Sequence, residues 1–247
     1  MLDCRIDNRV AVLTINRPNR RNALCTELVI ALNDQLLTLN SDAGVGAIVL
    51  TGASPSFCAG SDLKELGMMD VAGMVAHEAH TASMARQIGL IDLPVIVAVE
   101  GHALGGGFIL ATSCDLIVTA DSATWSLPEV PNGWIPPWGL KSLTSRVSVS
   151  TARRLVWGYE NISGDAAVEL GIADYRTGTG QALPKAIEIA ERLAQLPRAA
   201  VRSTKRFFQP KVLDQAEVAD FQAGQAFAEN CIHPPAIETL KRFARRT

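Results

Sequence analysis

The first segment that could do chemistry lies at residues 47–66, where a short apolar run ends in small residues before a helix. Its second half reads Phe-Cys-Ala-Gly-Ser-Asp-Leu-Lys-Glu-Leu, and Asp62 with Glu65 three residues later predicts a capping box. The backbone NH groups of Gly60 and Ser61 then lie beside a helix start, where NH groups lack partners within the helix. The segment therefore predicts amide donors that can face a ligand.

A second segment repeats this arrangement, because the apolar run at 95–99 leads into Gly105, Gly106 and Gly107 and then into helical spacing. Helix starts that carry no bulky side chains favour negative charge. Taken alone, the glycine triplet is equally compatible with close packing of a helix on a strand. Together, the two segments predict an oxyanion hole, while the lack of a Lys-Ser/Thr pair after the glycines disfavours a phosphate loop.

These segments must be positioned by neighbouring strands of a sheet. Residues 4–6 and 10–15 predict a hairpin around a polar turn, and helical spacing follows at 22–40. Three β-branched runs separated by helical segments predict a buried, largely parallel sheet and an α/β core: 47–50, 95–99 and 116–118. Strand patterns fade beyond residue 147, and the remaining third is predicted to be helical at 151–157, 163–170, 183–196 and 213–229.

Composition narrows the possible functions. The formal charge is −2, and the basic residues are spread along the chain, so nucleic acid is not an expected partner. Five separated cysteines without a CxxC pair predict reduced thiols and no structural zinc site. The chain opens with charged residues and has no apolar stretch of membrane-spanning length, which predicts a cytoplasmic protein without a membrane contact.

The two glycine-containing segments, in this order, resemble the crotonase (enoyl-CoA hydratase/isomerase) superfamily. The segment 47–66 is similar to its strand, Thr-Gly, loop and Phe-x-Ala-Gly-x-Asp-Leu-Lys pattern. The segment 97–115 is similar to Ala-Val-x-Gly-x-x-x-Gly-Gly-Gly-x-x-x-Ala-x-x-x-Asp. Leu-Thr-Ile-Asn-Arg-Pro near the start, Leu-Pro-Glu-Val at 127–130 and Ala-x-x-x-Gly-Ile near residue 170 also fit. The resemblance covers roughly residues 4–175 in collinear order.

The resemblance implies a spiral of β-β-α units at residues 1–175, followed by a helical region at 176–247 that packs on the core or on a neighbouring subunit. It implies an acyl-CoA substrate, with coenzyme A as part of that substrate and no separate cofactor. It also implies homotrimers or dimers of trimers. The two oxyanion donors fall on the NH groups of Ser61 and Gly106, because these positions match the family motifs. The Ser61 side chain is not expected to be a nucleophile, since no Gly-x-Ser-x-Gly elbow surrounds it.

One carboxylate of the family's hydratases is missing. They use two glutamates, and the matching positions here are Ile109 and Glu129. Addition of water benefits from two groups that orient the water and deliver its proton, whereas moving a double bond needs one base that takes a proton and returns it elsewhere. The sequence therefore favours isomerisation, with Glu129 as the acid/base. Its apolar neighbours, including Leu127 and Trp134, predict a raised pKa.

Further substrate-binding residues follow from the family's loops. The residues predicted to line the acyl-CoA site are Ala59, Gly60, Asp62, Leu63, Lys64, Gly105, Ile109 and Trp134. Arg20 and Arg21 join Lys64 as candidates to meet the anionic phosphates of coenzyme A, with simple solvent exposure as an equal alternative. Trp138 is a candidate for the acyl pocket wall, and His102 for the pocket or core lining.

Several alternatives remain open from the sequence. A hydratase, a decarboxylase or a hydroxyacyl-CoA hydratase-lyase can use the same scaffold; feruloyl-CoA hydratase-lyases share something similar to the segment at 132–139, but carry a serine at the position of Ile109. A catalytically silent binding or assembly protein is the alternative outside the enzymes. His77 and His80 have a metal-chelating spacing, but without a third ligand a solvated helix face is favoured.

Overall fold

The computed structural model describes residues 1–245 of the chain. Its nine strands are β1 (Leu2–Asp7), β2 (Val10–Ile15), β3 (Ala47–Gly52), β4 (Val95–Val99), β5 (His102–Leu104), β6 (Leu116–Ala120), β7 (Thr124–Ser126), β8 (Ile162–Ser163) and β9 (Tyr175–Thr177). Its helices within residues 1–245 are α1 (Thr26–Ser41), α2 (Leu63–Leu66), α3 (Val71–Leu90), α4 (Gly106–Thr112), α5 (Glu129–Asn132), α6 (Leu140–Arg146), α7 (Val149–Val156), α8 (Gly164–Glu169), α9 (Ala182–Ala194), α10 (Arg198–Leu213), α11 (Ala216–Cys231) and α12 (Pro234–Ala244). A short 3₁₀ turn spans Pro18–Arg20.

The main sheet has the order β1-β2-β3-β4-β6-β9, and a second, smaller sheet has the order β5-β7-β8. Strands β1 and β2 form the predicted antiparallel hairpin, with Asp7 opposite Val10, and every other neighbouring pair in the main sheet is parallel. All residues of β4 are buried, as expected for a central strand covered on both faces. The predicted α/β class is confirmed.

Alternate residues of each strand supply two separate cores. Leu13, Leu50 and Val97 face the larger core, while Val12 and Val49 face the smaller one. The smaller core is closed by α9, whose buried alanines recur every four residues: Ala182, Ala186, Ala190 and Ala194. Small side chains on this face let the helix approach the sheet closely; a methyl group placed on Gly46 would lie 2.8 Å from the Ala194 Cα atom. The C-terminal region thus packs on its own core through α9.

The C-terminal third differs from the sequence prediction in two ways. It contains β8 and β9, which were missed because they have only two and three residues. It also contains α10, none of whose residues is buried. Polar contacts hold α10 instead: Lys205 Nζ donates to the carbonyl oxygens of Ile88 and Leu93 at 2.8 and 2.7 Å. The segment boundary expected after residue 175 falls inside β9.

Helix α1 begins at Thr26, later than predicted, because the residues before it form a turn that hydrogen-bonds to the loop after β3. Asn22 is fully buried and adopts a left-handed backbone conformation with φ of 59°. Its Nδ2 donates to the carbonyl oxygens of Ala53 and Ser56, and its Oδ1 accepts from the Arg17 NH. One side chain therefore ties the turn to the loop that follows β3.

Replacing Asn22 by alanine is expected to lower the free energy of unfolding by about 2 to 4 kcal/mol, because buried backbone groups lose their partners. Alanine also tolerates the left-handed conformation less well than asparagine. Urea unfolding of the variant measures this loss. Asn33→Ala, on α1, is the control; it removes a hydrogen bond to Asp34 at the surface and should change stability little. Equal stability of both variants would contradict the assigned role of Asn22.

Candidate active site

The loop that begins at Ala59 is fixed by two isolated parallel bridges, Leu24 with Ser61 and Cys58 with Ala103. The Leu24 NH donates to the Gly60 carbonyl at 2.8 Å, and the Asp62 NH donates to the Leu24 carbonyl at 2.9 Å. The Gly60 carbonyl and the Ser61 NH belong to one trans peptide group and point in opposite directions, so the Ser61 NH faces away from Leu24. The loop therefore presents this amide to the other side, where α4 begins.

Helix α4 brings a second amide to the same place. A methyl group placed on Gly106 would lie 3.6 Å from the Ser61 nitrogen, and one on Gly60 would lie 2.9 Å from the Gly106 nitrogen. Among the described residues, neither the Ser61 NH nor the Gly106 NH donates to a protein acceptor. The two predicted donors are thus adjacent and free, which is the arrangement that an oxyanion requires.

The predicted capping box forms only in part. Asp62 caps α2 by accepting from the NH groups of Lys64 and Glu65, and its carboxylate also pairs with Arg17 at 2.9 Å. Glu65 does not return to Asp62; its carboxylate instead accepts from the NH and hydroxyl groups of Thr26 at 3.2 and 2.6 Å. The expectation of a full capping box is therefore wrong, because the start of α1 offers Glu65 a better donor pair. Asp62 orders the loop, and its predicted contact with substrate stays a prediction.

Glu129 is the first residue of α5, and its side chain is only 7% exposed. A methyl group placed on Gly105 would lie 2.8 Å from its Oε1 atom, so the carboxyl group lies directly against the glycine turn. Its Oε2 atom is buried and has no hydrogen-bond partner. Burial raises the pKa of Glu129 to about 8; its own backbone NH acts in the opposite direction, and the nearby Glu78 carboxylate adds to the increase. The predicted desolvation of the Glu129 carboxyl group is confirmed.

A second carboxyl group, Glu78 on α3, lies in the same cavity, and sequence reasoning missed it. It is 4% exposed, and its Oε2 accepts from Trp138 Nε1 at 2.7 Å. Burial raises its pKa, while His77, Ser61 and Trp138 act in the opposite direction. Helical spacing places Glu78 on the same face of α3 as Met74, Thr81 and Ala85, but it does not show what packs against that face.

The two histidines on α3 have different environments. His80 is exposed, but His77 is buried, and its Nδ1 lies 3.1 Å from the Thr26 hydroxyl. The prediction that both belong to a solvated helix face is therefore wrong for His77, because α1 packs against α3 at this point. Within residues 1–245, no three His, Cys, Asp or Glu side chains converge on a possible metal position.

The site cavity encloses about 50 Å³ between the two glycine loops, α3 and the segment after α5. The predicted residues that line it are Ala59, Gly60, Ser61, Leu63, Gly105, Gly106, Ile109, Glu129 and Trp134. An adjoining cavity of about 270 Å³ lies between α3 and α11, and Glu78 and Pro137 line both cavities. A larger cavity of about 670 Å³ beneath α10 contains none of these polar groups and is not part of the site.

Five predicted or candidate residues lie outside the cavity lining: Asp62, whose contacts are given above, and Arg20, Arg21, Lys64 and His102. Arg20 and Arg21 are exposed on the turn before α1, where the Arg21 carbonyl accepts from the Ala59 NH at 3.0 Å. Lys64 is half-buried on α2. His102 does not line the cavity; its Nδ1 lies 3.2 Å from the Ser56 hydroxyl. The three basic residues therefore lie next to the loop that begins at Ala59. Their contacts with phosphate stay predictions.

The raised pKa of Glu129 predicts a specific pH dependence. A base must be deprotonated, so kcat/KM is expected to rise about tenfold per pH unit below the pKa and to level off above pH 8.

The stability of the protein should change with pH in the opposite sense. The pKa of Glu129 in the folded protein is about 8 and exceeds the usual 4.5, so protonation of Glu129 favours the folded state. This contribution to the free energy of unfolding is complete below about pH 4.5 and is lost as the pH rises through 8. Urea unfolding across this range, compared with Glu129→Gln, measures the difference; parallel stability curves would contradict it.

Comparisons with known proteins agree with this geometry. The sequence pattern of the enoyl-CoA hydratase/isomerase family matches residues 5–246. The chain is 33% identical to a probable enoyl-CoA hydratase, echA8, of Mycobacterium leprae (strain TN), over 80% of this chain and 76% of the relative. It is 31% identical to a short-chain-enoyl-CoA hydratase of Clostridium acetobutylicum, over 90% and 86%.

A solved structure extends the similarity to the fold. The crystal structure of an enoyl-CoA hydratase/isomerase from Mycobacterium paratuberculosis has a TM-score of 0.88 and 28% identity, covering 98% of this chain and 97% of that one. The fold and site thus define an enzyme of the crotonase class. The chain belongs to the enoyl-CoA hydratase/isomerase family and acts on acyl-CoA substrates.

No helix within residues 1–245 is both long enough and apolar enough to cross a lipid bilayer.

Proposed function

We propose that this enzyme moves the double bond of a 3-enoyl-CoA into conjugation with the thioester, through an enolate held by Ser61 and Gly106. The observation that carries the proposal is the buried Glu129 carboxyl group, which lies against the same glycine turn as the two free amides. We further propose that coenzyme A enters as part of the substrate, with no separate cofactor.

The chemistry follows from this arrangement. The Glu129 carboxylate takes a proton from C2, and the electron pair moves toward the thioester oxygen. The Ser61 and Gly106 NH groups stabilise the charge on that oxygen, and fixed donors in a site of low dielectric do so without reorganisation. Collapse of the enolate places the double bond between C2 and C3, and C4 receives a proton. The net reaction conserves all atoms and needs no oxidant.

The absence of a carboxylate at residue 109 supports isomerisation over hydration. Ile109 is 1% exposed, and a methyl group placed on Gly139 would lie 2.0 Å from its Cγ2 atom. An apolar side chain thus tightly fills the position from which the family's hydratases present their first glutamate. Water therefore has one polar partner fewer on this side of the cavity.

Hydration of a 2-enoyl-CoA is the second candidate, because Glu78 supplies another carboxyl group to the cavity. The relatives compared above bear hydratase names, which also supports this candidate. The two reactions differ in what they do to the conjugated thioester: isomerisation forms it, and hydration consumes it.

Incubating the protein with a 3-enoyl-CoA and, separately, with a trans-2-enoyl-CoA tests the two candidates by absorbance of the conjugated thioester. Growth of the signal from the 3-enoyl substrate is expected. Loss of the signal from the 2-enoyl substrate, without conversion of the 3-enoyl one, would replace isomerisation by hydration. Silence with both would contradict the proposal and favour a lyase or a binding protein.

Assembly is proposed on the family resemblance alone, and location on the five separated cysteines. We expect homotrimers or dimers of trimers in a cytoplasmic setting. Light scattering coupled to size-exclusion chromatography distinguishes these assemblies from a monomer.

A further inference from the structure

We propose that Glu78 is a second proton-transfer residue of this site and delivers the proton that C4 receives during isomerisation. The inference rests on the proposed function and deepens it, because it replaces one shuttling base by two carboxyl groups with separate tasks. It concerns a residue on α3, which lies between the two glycine loops in the chain and is separate from the family position occupied here by Ile109.

Glu78 lies between the site cavity and the adjoining cavity. Glu78 lines the small cavity together with Glu129, Ser61 and Gly106, and it also lines the adjoining cavity of about 270 Å³. An acyl chain whose thioester oxygen lies at the two amides passes Glu78 to reach that larger space. Glu129, against Gly105, lies next to the thioester end. Glu78 is thus placed for an acyl carbon beyond C2.

The Glu78 carboxyl group is oriented by the Trp138 indole. Trp138 Nε1 donates to Glu78 Oε2 at 2.7 Å, and a methyl group placed on Gly106 would lie 3.1 Å from Cζ2 of the same indole ring. Ser61 lies close enough to lower the pKa of Glu78. The groups that fix Glu78 therefore belong to the oxyanion loops or pack against them.

No lysine or arginine of residues 1–245 forms an ion pair with Glu78 that would mark it as a structural group. Among the described residues, no salt bridge includes Glu78. Arg86 also lines the adjoining cavity, but it pairs with Asp220 instead. Burial nevertheless raises the pKa of Glu78 more than His77, Ser61 and Trp138 lower it, so the buried carboxyl group favours its protonated form. In that form Glu78 can donate a proton, which is the role that complements a deprotonated Glu129.

The proton balance is closed within the two residues. The C2–H bond breaks and its proton goes to Glu129, while a C4–H bond forms with the proton of Glu78. After product release, Glu129 loses its proton to solvent and Glu78 regains one. Under this scheme the hydrogen that arrives at C4 is not the one that leaves C2.

Isotope labelling tests this directly. The wild-type enzyme converts a 3-enoyl-CoA in D₂O, and mass spectrometry and NMR locate the deuterium in the product; the matched experiment uses a C2-dideuterated substrate in H₂O. Solvent-derived hydrogen at C4 is expected in both. Internal transfer of the C2 label to C4 would overturn the role of Glu78 and leave the isomerase proposal intact, whereas no conversion at all would overturn both.

A variant separates proton donation from positioning. Glu78→Gln keeps an acceptor for Trp138 but cannot donate an acidic proton, so kcat should fall about 100-fold. Its residual reaction should transfer the C2 label internally through Glu129. Wild-type kcat, or slower turnover with unchanged labelling, would overturn the proposal. Glu169→Gln, on the exposed end of α8, is the matched control and should leave both kcat and labelling unchanged. The wild-type labelling result decides the proposal even where Glu78→Gln does not fold.

Discussion

Replacing Glu129 by glutamine is expected to lower kcat for isomerisation by about 10²- to 10⁴-fold, the range that a positioned acid/base contributes. Glutamine has nearly the same shape but cannot take a proton from C2. The change should leave substrate affinity largely intact, because the two amides and the cavity walls remain. Stopped-flow absorbance of the conjugated thioester measures kcat, and competition with a non-reactive acyl-CoA measures affinity.

The fold of Glu129→Gln should be preserved. The Oε2 atom of Glu129 is already buried without a hydrogen-bond partner, so a neutral side chain of the same size removes no contact that supports α5. Thermal unfolding near neutral pH is therefore expected to match wild type within a few degrees. A variant with wild-type kcat would contradict the assignment of Glu129 as the base, whatever its stability.

Replacing Gly60 by alanine is expected to lower kcat by about 10²- to 10³-fold, which is typical for loss of one oxyanion donor. The added methyl group would lie 2.9 Å from the Gly106 nitrogen and 2.9 Å from the Leu104 carbonyl oxygen, too close for either backbone group to remain in place. Displacement of Gly106 moves its NH group away from the thioester oxygen. The loss should appear in kcat more than in KM, because charge develops on that oxygen only in the transition state.

A matched control separates this effect from backbone strain. Gly60 has φ of 84°, and Gly180 has φ of 79°, so alanine is disfavoured at both positions for the same conformational reason. A methyl group on Gly180, however, meets no atom within 4 Å. Gly180→Ala should therefore lose some stability but keep its kcat. Equal losses of kcat in the two variants would contradict a specific role of the Gly60 loop.

The sequence by itself determined the first five strands of the main sheet and the local part of the site, but not β9 or the second sheet. The β-branched runs specified a parallel core, and the glycine loops specified where backbone NH groups lack partners, because both features depend on residues close together in the chain. The resemblance to the family's motifs singled out Ser61, Gly106 and Glu129, and the structure brings all three to one cavity. Their individual roles stay predictions until the variants are measured.

Only the tertiary structure decided which side chains from distant elements join them. The buried face of α3 contains His77, Glu78 and Thr81 among its apolar residues, so the hydrophobic pattern gives no clear stripe. Helical spacing tells which residues share a face, but it does not tell what packs against that face. Glu78 becomes part of the site because Trp138 and the oxyanion loops pack there, and His77 becomes buried because α1 does. Long-range packing, which no local pattern encodes, thus supplied the second carboxyl group.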